Sequence, residues 1–299
     1  MKEIVVISGK GGTGKTSISA SFSLLGGEDV ITADCDVDAA DLHLLLGPDF
    51  AHAEDFYSGL LARIDPSRCD ECGICAQVCR FDAVHVVDGH HHIRALDCEG
   101  CGYCARVCPQ RAVQLQERKV GQWYRSRLRT GGTMVHARLD IGAENSGKLV
   151  AKVKQEAREA AREQGREWIL VDGAPGIGCP VMSSLSGADA VVFVTEPTVS
   201  GFHDLRRVYD LVRRFDMATA CIVNKADLNP EMTRSMHAFL QEAGIRHLAD
   251  LPYDEAFTEA MVEGCTVVEK EGTPLARALE ESWTRLRTLL GIERTGDQP

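Results

Sequence analysis

Short apolar runs alternate with amphipathic stretches over most of this chain. The runs contain four to six residues each, as buried strands do, and the stretches between them carry apolar residues at helical spacing. This alternation predicts an α/β fold with a mostly parallel, doubly wound sheet and helices on both faces. The predicted strands are 4–7, 30–33, 168–172, 190–195, 220–223 and 247–251, and the predicted helices are 17–25, 147–164, 201–215, 231–243 and 274–290.

The alternation is interrupted once. From about residue 61 to residue 118 the chain is rich in cysteine and has only short β-prone pieces, at 83–87 and 112–115. We therefore predict one domain formed by residues 1–60 and 119–299, with a small α+β domain, residues 61–118, inserted into it.

The glycine-rich segment between the first predicted strand and the first predicted helix has a phosphate-binding pattern. It reads Gly9-Lys10-Gly11-Gly12-Thr13-Gly14-Lys15-Thr16 and satisfies G-x-x-x-x-G-K-[ST] in the strand–loop–helix context that the pattern needs. Glycines let backbone N–H groups surround a phosphate, and the helix that starts at Ser17 directs its positive end at the anion. Lys15 would reach the β- and γ-phosphates, and the Thr16 hydroxyl would bind Mg²⁺. All eight loop residues are predicted to bind nucleotide.

Two further predicted strands end in carboxylates. Asp34-Cys35-Asp36 follows the second strand, and Asp172 ends the strand 168–172. The carboxyl ends of strands border the ligand site in open α/β sheets, so these carboxylates are predicted to lie beside the phosphate loop. A helix N-cap is the alternative role for Asp36, because aspartate is a favoured cap.

The second lysine of the loop, Lys10, makes it resemble the K-G-G-x-G-K-[ST] loop of the MinD/ParA family of ATPases, also called the CobQ/CobB/MinD/ParA nucleotide-binding domain. The resemblance implies that Lys10 reaches the nucleotide of a second subunit in an ATP-sandwiched dimer. It also implies that Asp36 orients the attacking water and that Asp172 holds magnesium through water. Asp172-Gly173-Ala174-Pro175-Gly176 matches the family's D-x-x-P-G switch, in which the Gly176 N–H would sense the γ-phosphate. The predicted catalytic residues are Lys10, Lys15 and Asp36.

The segment Asn224-Lys225-Ala226-Asp227 follows the predicted strand 220–223. N-K-x-D is how many GTPases read guanine, whereas the MinD resemblance implies that Asn224 contacts adenine. ATP with Mg²⁺ is therefore the expected ligand, and GTP is the less favoured alternative.

Eight of the twelve cysteines form two runs of one spacing. C-x-x-C-x-x-C-x-x-x-C, with proline after the second run, is the bacterial pattern for two [4Fe–4S] clusters, in which the fourth cysteine of each run ligates the other cluster. Zinc is the alternative metal, but this spacing is not that of a zinc finger. We therefore expect the inserted domain to be a two-cluster ferredoxin. The predicted ligand sets are Cys69, Cys72, Cys75 and Cys108 for one cluster, and Cys98, Cys101, Cys104 and Cys79 for the other.

Three further segments each have two possible interpretations. His90-His91-His92 is predicted as a solvated hairpin turn rather than a metal site, because no carboxylate or cysteine is spaced with it. Cys179 lies beyond the switch at an offset that resembles a cluster ligand of the nitrogenase iron protein, but no convincing second cysteine accompanies it, so an ordinary thiol is expected. Residues 142–148 imitate a second phosphate loop, but Leu149 has no hydroxyl for Mg²⁺, and Ser146 is predicted to cap a helix instead.

Residues 123–139 predict a hairpin that turns at Gly131-Gly132-Thr133. Arg125, Arg127 and Arg129 share one face of its first strand, because side chains repeat every two residues. This basic face could dock an acidic redox partner, and the alternative is that the arginines pair with nearby carboxylates.

Composition and charge exclude several classes of protein. With 33 basic and 44 acidic residues the formal charge is −11, so a general nucleic-acid binder is not expected. No apolar run has the length of a membrane span, and the predicted helix 274–290 lacks the cationic face of a membrane-surface helix. We expect a cytoplasmic protein without membrane insertion.

These features together suggest an ATPase that couples nucleotide-dependent dimerisation to electron transfer through two [4Fe–4S] clusters. The alternatives are a spatial-organising or complex-assembly ATPase with redox-sensing clusters, and an iron–sulfur cluster carrier. The expected partners are a second copy or a similar ATPase, and an unidentified redox or acceptor protein.

Overall fold

The computed structural model describes residues 1–143, 146–270 and 272–291. Its strands are β1 (Lys2–Ile7), β2 (Val30–Asp34), β3 (His52–Ile64), β4 (Val84–Val87), β5 (His90–Ile93), β6 (Val113–Arg127), β7 (Thr133–Leu139), β8 (Trp168–Asp172), β9 (Ala190–Thr195), β10 (Ala218–Val223) and β11 (Arg246–Asp250). Its helices are α1 (Lys15–Gly26), α2 (Leu42–Leu46), α3 (Ile74–Val78), α4 (Tyr103–Val107), α5 (Ser146–Gln164), α6 (Cys179–Leu185), α7 (Val199–Val212), α8 (Pro230–Glu242), α9 (Ala256–Glu263) and α10 (Pro274–Leu289).

Nine of these strands form one sheet, in the order β11-β10-β9-β1-β8-β2-β7-β6-β3. All the neighbouring pairs from β11 to β7 are parallel. The carboxyl ends of β1, β2, β8 and β10 therefore lie along one edge of the sheet, and the segments that follow them can form one site. The predicted mostly parallel α/β fold is confirmed.

The central strands are apolar throughout because both faces of the sheet are covered. Ile4, Val5, Val6 and Ile7 of β1 are all fully buried. The N-terminal helix α1 packs on this core, where the Phe22 ring lies 5.3 Å from the Trp283 ring of α10. No helix among the described residues is long and apolar enough to cross a membrane.

Contacts between residues divide the chain into two compact units. The first contains residues 1–54 and 123–138 and the described residues from 146 onward, and the second contains residues 55–122 and 139–143. Strands β3 and β6 each contribute residues to both units. The second unit also contains α3, α4 and an antiparallel hairpin of β4 and β5, in which Val84 pairs with Ile93 and Val87 with His90.

Several elements differ from the sequence prediction. Strand β3 was not predicted, because most of its side chains are exposed and it has no continuous apolar run. The predicted piece 112–115 and the first strand of the predicted hairpin are parts of one strand, β6. The short helices α2, α6 and α9 were also not predicted, since five to eight residues give little helical periodicity.

Candidate nucleotide site and cysteine pockets

The predicted phosphate loop connects β1 to α1. Gly12 and Gly14 have positive φ angles of 80° and 90°. A Cβ atom on Gly14 would also collide with the side-chain amide of Asn224, so this position requires glycine. Asn224 is buried at the end of β10, and its Nδ2 donates a hydrogen bond of 2.9 Å to the carbonyl of Thr13. The loop is thereby fixed against a neighbouring strand end.

Lys15 is buried between two of the predicted carboxylates. Its Nζ lies 2.9 Å from Asp172 Oδ1 and 3.5 Å from Asp36 Oδ2, and its side chain is 6% exposed. Burial lowers the pKa of Lys15, but attraction to Asp172 and Asp36 outweighs burial and raises this pKa above its usual value. Lys15 is therefore a permanent buried cation.

Asp172 is held in place by two hydroxyl groups of α1. Thr16 Oγ1 donates to Asp172 Oδ2 over 3.0 Å, and Ser19 Oγ donates to Asp172 Oδ1 over 2.6 Å. Ser19 was not predicted from the sequence. It stands three residues after Thr16 and hence on the same face of the helix, which is the signal that could have identified it.

The predicted pair Asp34 and Asp36 also lies at this site. Burial raises the pKa of Asp36, although Lys15 opposes the rise, and burial together with Asp172 raises the pKa of Asp34. Asp36 caps no helix, because the N-cap of α2 is Asp41. A helix N-cap, which was the alternative role for Asp36, is therefore excluded.

Two buried oxygen atoms at the loop have no hydrogen-bond partner among the described residues. They are Thr13 Oγ1 and Asp34 Oδ2. Buried polar atoms are nearly always paired, since an unpaired one costs about 1–3 kcal/mol. These atoms and the cationic Lys15 fit a site that is completed by a polar ligand.

The second loop lysine, Lys10, is paired within the chain. Its Nζ lies 2.6 Å from Glu196 Oε1 and 3.1 Å from the hydroxyl of Ser200. Glu196 Oε2 lies 2.8 Å from Lys225 Nζ, which also donates to the carbonyl of Gly12. Glu196 was not predicted from the sequence, because no motif relates it to lysines so distant along the chain.

The predicted switch segment lies next to β1. Gly176 N donates a hydrogen bond of 2.9 Å to the carbonyl of Ser8, so the predicted phosphate sensor is engaged within the chain. Gly173 N likewise donates to the carbonyl of Val6. The site therefore brings together segments that follow β1, β2, β8 and β10.

In the second unit, the eight cysteines of the two runs line two pockets. Each pocket takes three cysteines from one run and the fourth from the other. Cys69, Cys72, Cys75 and Cys108 line the first pocket, and Cys98, Cys101, Cys104 and Cys79 line the second. These are the two sets that the spacing predicts.

The two runs have the same local backbone structure, repeated after 29 residues. Gly73 before α3 and Gly102 before α4 have φ angles of 74° and 75°. The backbone N–H of Ala83 donates to Cys79 Sγ over 3.4 Å, and that of Ala112 donates to Cys108 Sγ over 3.3 Å. Such hydrogen bonds to sulfur tune the potential of a bound cluster.

The three histidines were predicted to form a hairpin turn, but they lie in strand β5. His90, His91 and His92 belong to a strand, and the hairpin turns before them, at Asp88-Gly89. A carboxylate partner does exist, since Glu71 oxygens lie 3.1 Å from His90 Nδ1 and 2.6 Å from His91 Nδ1. This partner was not predicted from the sequence, because it precedes His90 by 19 residues.

The arginines of the predicted basic face and Cys179 were two other candidate functional features. Arg125 pairs with Glu156 and Glu163, and Arg129 pairs with Glu269. Nearby carboxylates therefore pair with two of the three arginines predicted to form the basic face. Cys179 is exposed at the start of α6. The imitation phosphate loop includes residues 144 and 145, which lie outside the described residues. Helix α5 begins at Ser146, one residue before its predicted start, so Ser146 is the first residue of the helix rather than its cap.

The sequence profile of the CobQ/CobB/MinD/ParA nucleotide binding domain matches residues 4–267. The chain belongs to this family. It is 33% identical over 230 residues to an uncharacterised protein of Methanocaldococcus jannaschii, which covers 76% of this chain and 79% of that protein. The family resemblance inferred from the loop sequence is thus confirmed.

Solved structures of MinD have the same fold. The septum site-determining protein MinD of Pyrococcus horikoshii, complexed with Mg-ADP, aligns with a TM-score of 0.60 at 21% identity, over 98% of this chain and 99% of that one. A chain of the MinC:MinD cell division protein complex of Aquifex aeolicus aligns with a TM-score of 0.60 at 17% identity, over 100% of this chain and 99% of that one. At these identities the likeness shows the fold of the MinD/ParA family and nothing finer.

Proposed function

We propose that this member of the MinD/ParA family is a Mg·ATP-dependent ATPase that acts as a dimerising switch. The arrangement of Lys15 carries the proposal: a buried ammonium group at the start of α1, between Asp172 and Asp36, with Thr16 beside it. A lysine that is fixed and protonated in this way can bind phosphate oxygens as soon as a nucleotide enters the loop.

Each residue then has a defined task in hydrolysis. Lys15 and the loop N–H groups bind the phosphates, and Thr16 and Asp172 would hold Mg²⁺, which supplies neutralisation of phosphate charge. Asp36 accepts a hydrogen bond from the attacking water and orients it towards the γ-phosphorus. The P–O bond to ADP breaks as the bond to water forms, and inorganic phosphate is released.

Lys10 would supply the link between hydrolysis and dimerisation. Its side chain is 30% exposed, so it can leave Glu196 and reach a phosphate of a second subunit. A cation that stabilises the transferring phosphoryl group is a strong catalytic element in NTPases. The active form is therefore a nucleotide-bridged dimer, formed with a second copy or with a similar ATPase.

ATP suits the site better than GTP. Asp227, the residue with which an N-K-x-D motif would read guanine, accepts a hydrogen bond of 2.6 Å from the backbone N–H of Tyr253. Asn224 is directed at the loop through its bond to Thr13. Both side chains thus make contacts within the chain, which supports ATP over GTP.

We propose that the two cysteine pockets hold two [4Fe–4S] clusters, which supply one-electron transfer when bound. The donor sets fit, because each pocket offers four thiols and a backbone N–H donor to one sulfur. Tetrahedral zinc, with Zn–S of about 2.3 Å, would hold its sulfurs about 3.8 Å apart. Among the described residues, no three cysteine sulfurs lie within 4.8 Å of one another. A spacing wider than this limit favours a larger polynuclear centre over a single zinc ion.

Membership of the MinD/ParA family favours a nucleotide-controlled assembly or spatial-organising function, in which the clusters sense redox state. Electron delivery to a partner is the second candidate, and the two four-thiol pockets favour it, since saturated clusters suit electron transfer. Four thiols in each pocket leave no open position for handing over a cluster, which argues against a carrier.

Two measurements on anaerobically purified protein test these functions. Sedimentation with ATP, ADP and a non-hydrolysable ATP analogue should show dimers only with the triphosphates, and phosphate release should require Mg²⁺. An EPR-monitored titration with and without the analogue separates the candidates: a shift near 60 mV, a tenfold change for one electron, supports gated electron transfer. Unchanged potentials with redox-dependent dimerisation support assembly, and a monomer that hydrolyses no ATP contradicts both.

A further inference from the structure

A group of two histidines and one aspartate lies at the edge of the sheet, outside the nucleotide loop and the cysteine pockets. His237 Nε2, on α8, lies 2.9 Å from Asp250 Oδ1, and His247 Nε2, on β11, lies 2.9 Å from the same oxygen. The three ligand atoms all lie within 4.8 Å of one another. All three side chains are a little over one-third exposed.

A β-bulge in β11 brings two of these residues together. Residues three apart on a regular strand point to opposite faces. Here Cys221 of β10 pairs with His247, whereas Ile222 pairs with Ala249, so Leu248 is an extra residue in β11. The bulge turns His247 and Asp250 to the same side, where His237 meets them. Bulges often re-aim side chains in this way beside functional sites.

The spacing of the three atoms suits a metal ion. Ligand atoms about 2.1 Å from a metal are about 3.0 Å apart at adjacent corners of an octahedron and about 3.4 Å apart in a tetrahedron. The two separations between a histidine nitrogen and the Asp250 oxygen, both 2.9 Å, are close to the octahedral edge, and the third separation is below 4.8 Å. Two imidazoles and one carboxylate on one face of the metal are a known ligand set, with the remaining positions open.

A groove of about 690 Å³ lies beside the two histidines of the group. His237 and His247 line it, together with Arg246 and Gln241. A metal held by the three side chains would thus have room for water or a small ligand at its other positions. Imidazole with carboxylate suits zinc, cobalt, nickel and ferrous iron better than magnesium or calcium.

We propose that His237, His247 and Asp250 form a binding site for a divalent transition metal, separate from the cysteine pockets. The proposal is independent of the proposed ATPase activity. Without metal, the same three groups form a hydrogen-bonded cluster in which both imidazoles share one carboxylate oxygen, and the metal replaces these two bonds.

The test uses Zn²⁺ as the probe on anaerobically purified protein that has its full iron content. After equilibrium dialysis, elemental analysis should find one more zinc per chain in the wild type than in the double variant His237→Ala/His247→Ala. Asp250→Asn, which keeps the shape of the side chain, should weaken zinc binding by about 100-fold or more, since loss of an outer-shell partner already costs about 10–100-fold.

His52→Ala is the matched control, because His52 lies 3.0 Å from a single carboxylate, Glu54, without a second histidine. This variant should bind zinc like the wild type. Zinc-edge X-ray absorption should show nitrogen and oxygen ligands only. Equal zinc content in the wild type and the double variant, or sulfur among the ligands of the extra zinc, would overturn the proposal.

Discussion

Glu196 pairs with Lys10 inside one chain, with 2.6 Å between Oε1 and Nζ. A lysine that is to reach a second subunit must first leave this carboxylate. The pair is partly exposed, so its contribution is modest, about 1 kcal/mol or less. In the proposed dimer, Glu196 would therefore compete with the second subunit for Lys10.

Replacing Glu196 by glutamine should favour the nucleotide-bound dimer. The amide keeps the shape of the side chain but releases Lys10, and about 1 kcal/mol corresponds to about a fivefold gain per subunit. Sedimentation equilibrium with a non-hydrolysable ATP analogue measures the gain. Glu281→Gln, which removes only an exposed pair with Arg285, is the control. Dimerisation that is unchanged or weaker in Glu196→Gln would show that Lys10 takes no part in association.

Lys15→Ala should lower the rate of ATP hydrolysis by at least about 100-fold, because the phosphates lose the buried cation that binds them. The matched control is Lys148→Ala, which removes the exposed lysine of the imitation loop. Phosphate-release assays under anaerobic conditions compare the two variants. Equal losses in both, or full activity in Lys15→Ala, would contradict the assignment of the phosphate site.

Asp36→Asn should separate nucleotide binding from hydrolysis. The amide cannot take the place of the carboxylate that orients water, so turnover should fall by about 100-fold. Binding of ATP, measured by calorimetry, should stay within about threefold of the wild type, because Lys15 keeps its contact with Asp172. Asp38→Asn, which changes a neighbouring aspartate, should leave turnover unaltered. A loss of binding as large as the loss of turnover would refute a specific role in hydrolysis.

The sequence was sufficient to predict this site in outline, because its main residues follow strand ends and belong to contiguous motifs. Lys15, Thr16, Asp36 and Asp172 were found in this way. Glu196 and Ser19 were not, because their roles depend on contacts across the fold rather than on spacing. Strand β3 was not predicted for a different reason. It is an exposed edge strand, so its sequence has almost no pattern of hydrophobic residues.

Cys79→Ser should remove the same cluster as Cys98→Ser, although Cys79 belongs to the other run. Both residues line one pocket, so each variant should retain about four of about eight irons and give the same EPR spectrum. Cys69→Ser should retain the other cluster and give a different spectrum. Cys179→Ser, which changes an exposed cysteine outside the pockets, should keep all the iron. If Cys79→Ser instead matched Cys69→Ser, each run would hold its own cluster.

His136 should make stability depend on pH. Burial, with a smaller effect of His43, lowers the pKa of His136 to about 4, and its ring stacks on Tyr124 at 5.0 Å. The folded state therefore favours the neutral ring. Its contribution is complete above about pH 6.5 and is lost as the pH falls towards 4, because the unfolded chain then binds the proton more readily.

Between pH 7 and pH 5, this histidine alone should lower the free energy of unfolding by about 2 kcal/mol. Denaturant titrations of the wild type and His136→Phe measure the difference, and the variant should lose most of this pH dependence. His203→Ala, which changes an exposed histidine, should behave like the wild type. If the free energy of unfolding changed with pH equally in the wild type and in His136→Phe, His136 would not be the source of the pH dependence.

The exchange of fourth cysteines between the two runs also constrains the order in which the protein matures. A chain emerging from the ribosome has at most three thiols of either pocket until residue 104 has been made, and the first pocket must wait for residue 108. Neither half of the repeat can therefore be loaded while the other is still missing. Both pockets become complete within four residues of synthesis, so insertion of the proposed clusters would have to wait until the whole repeat exists.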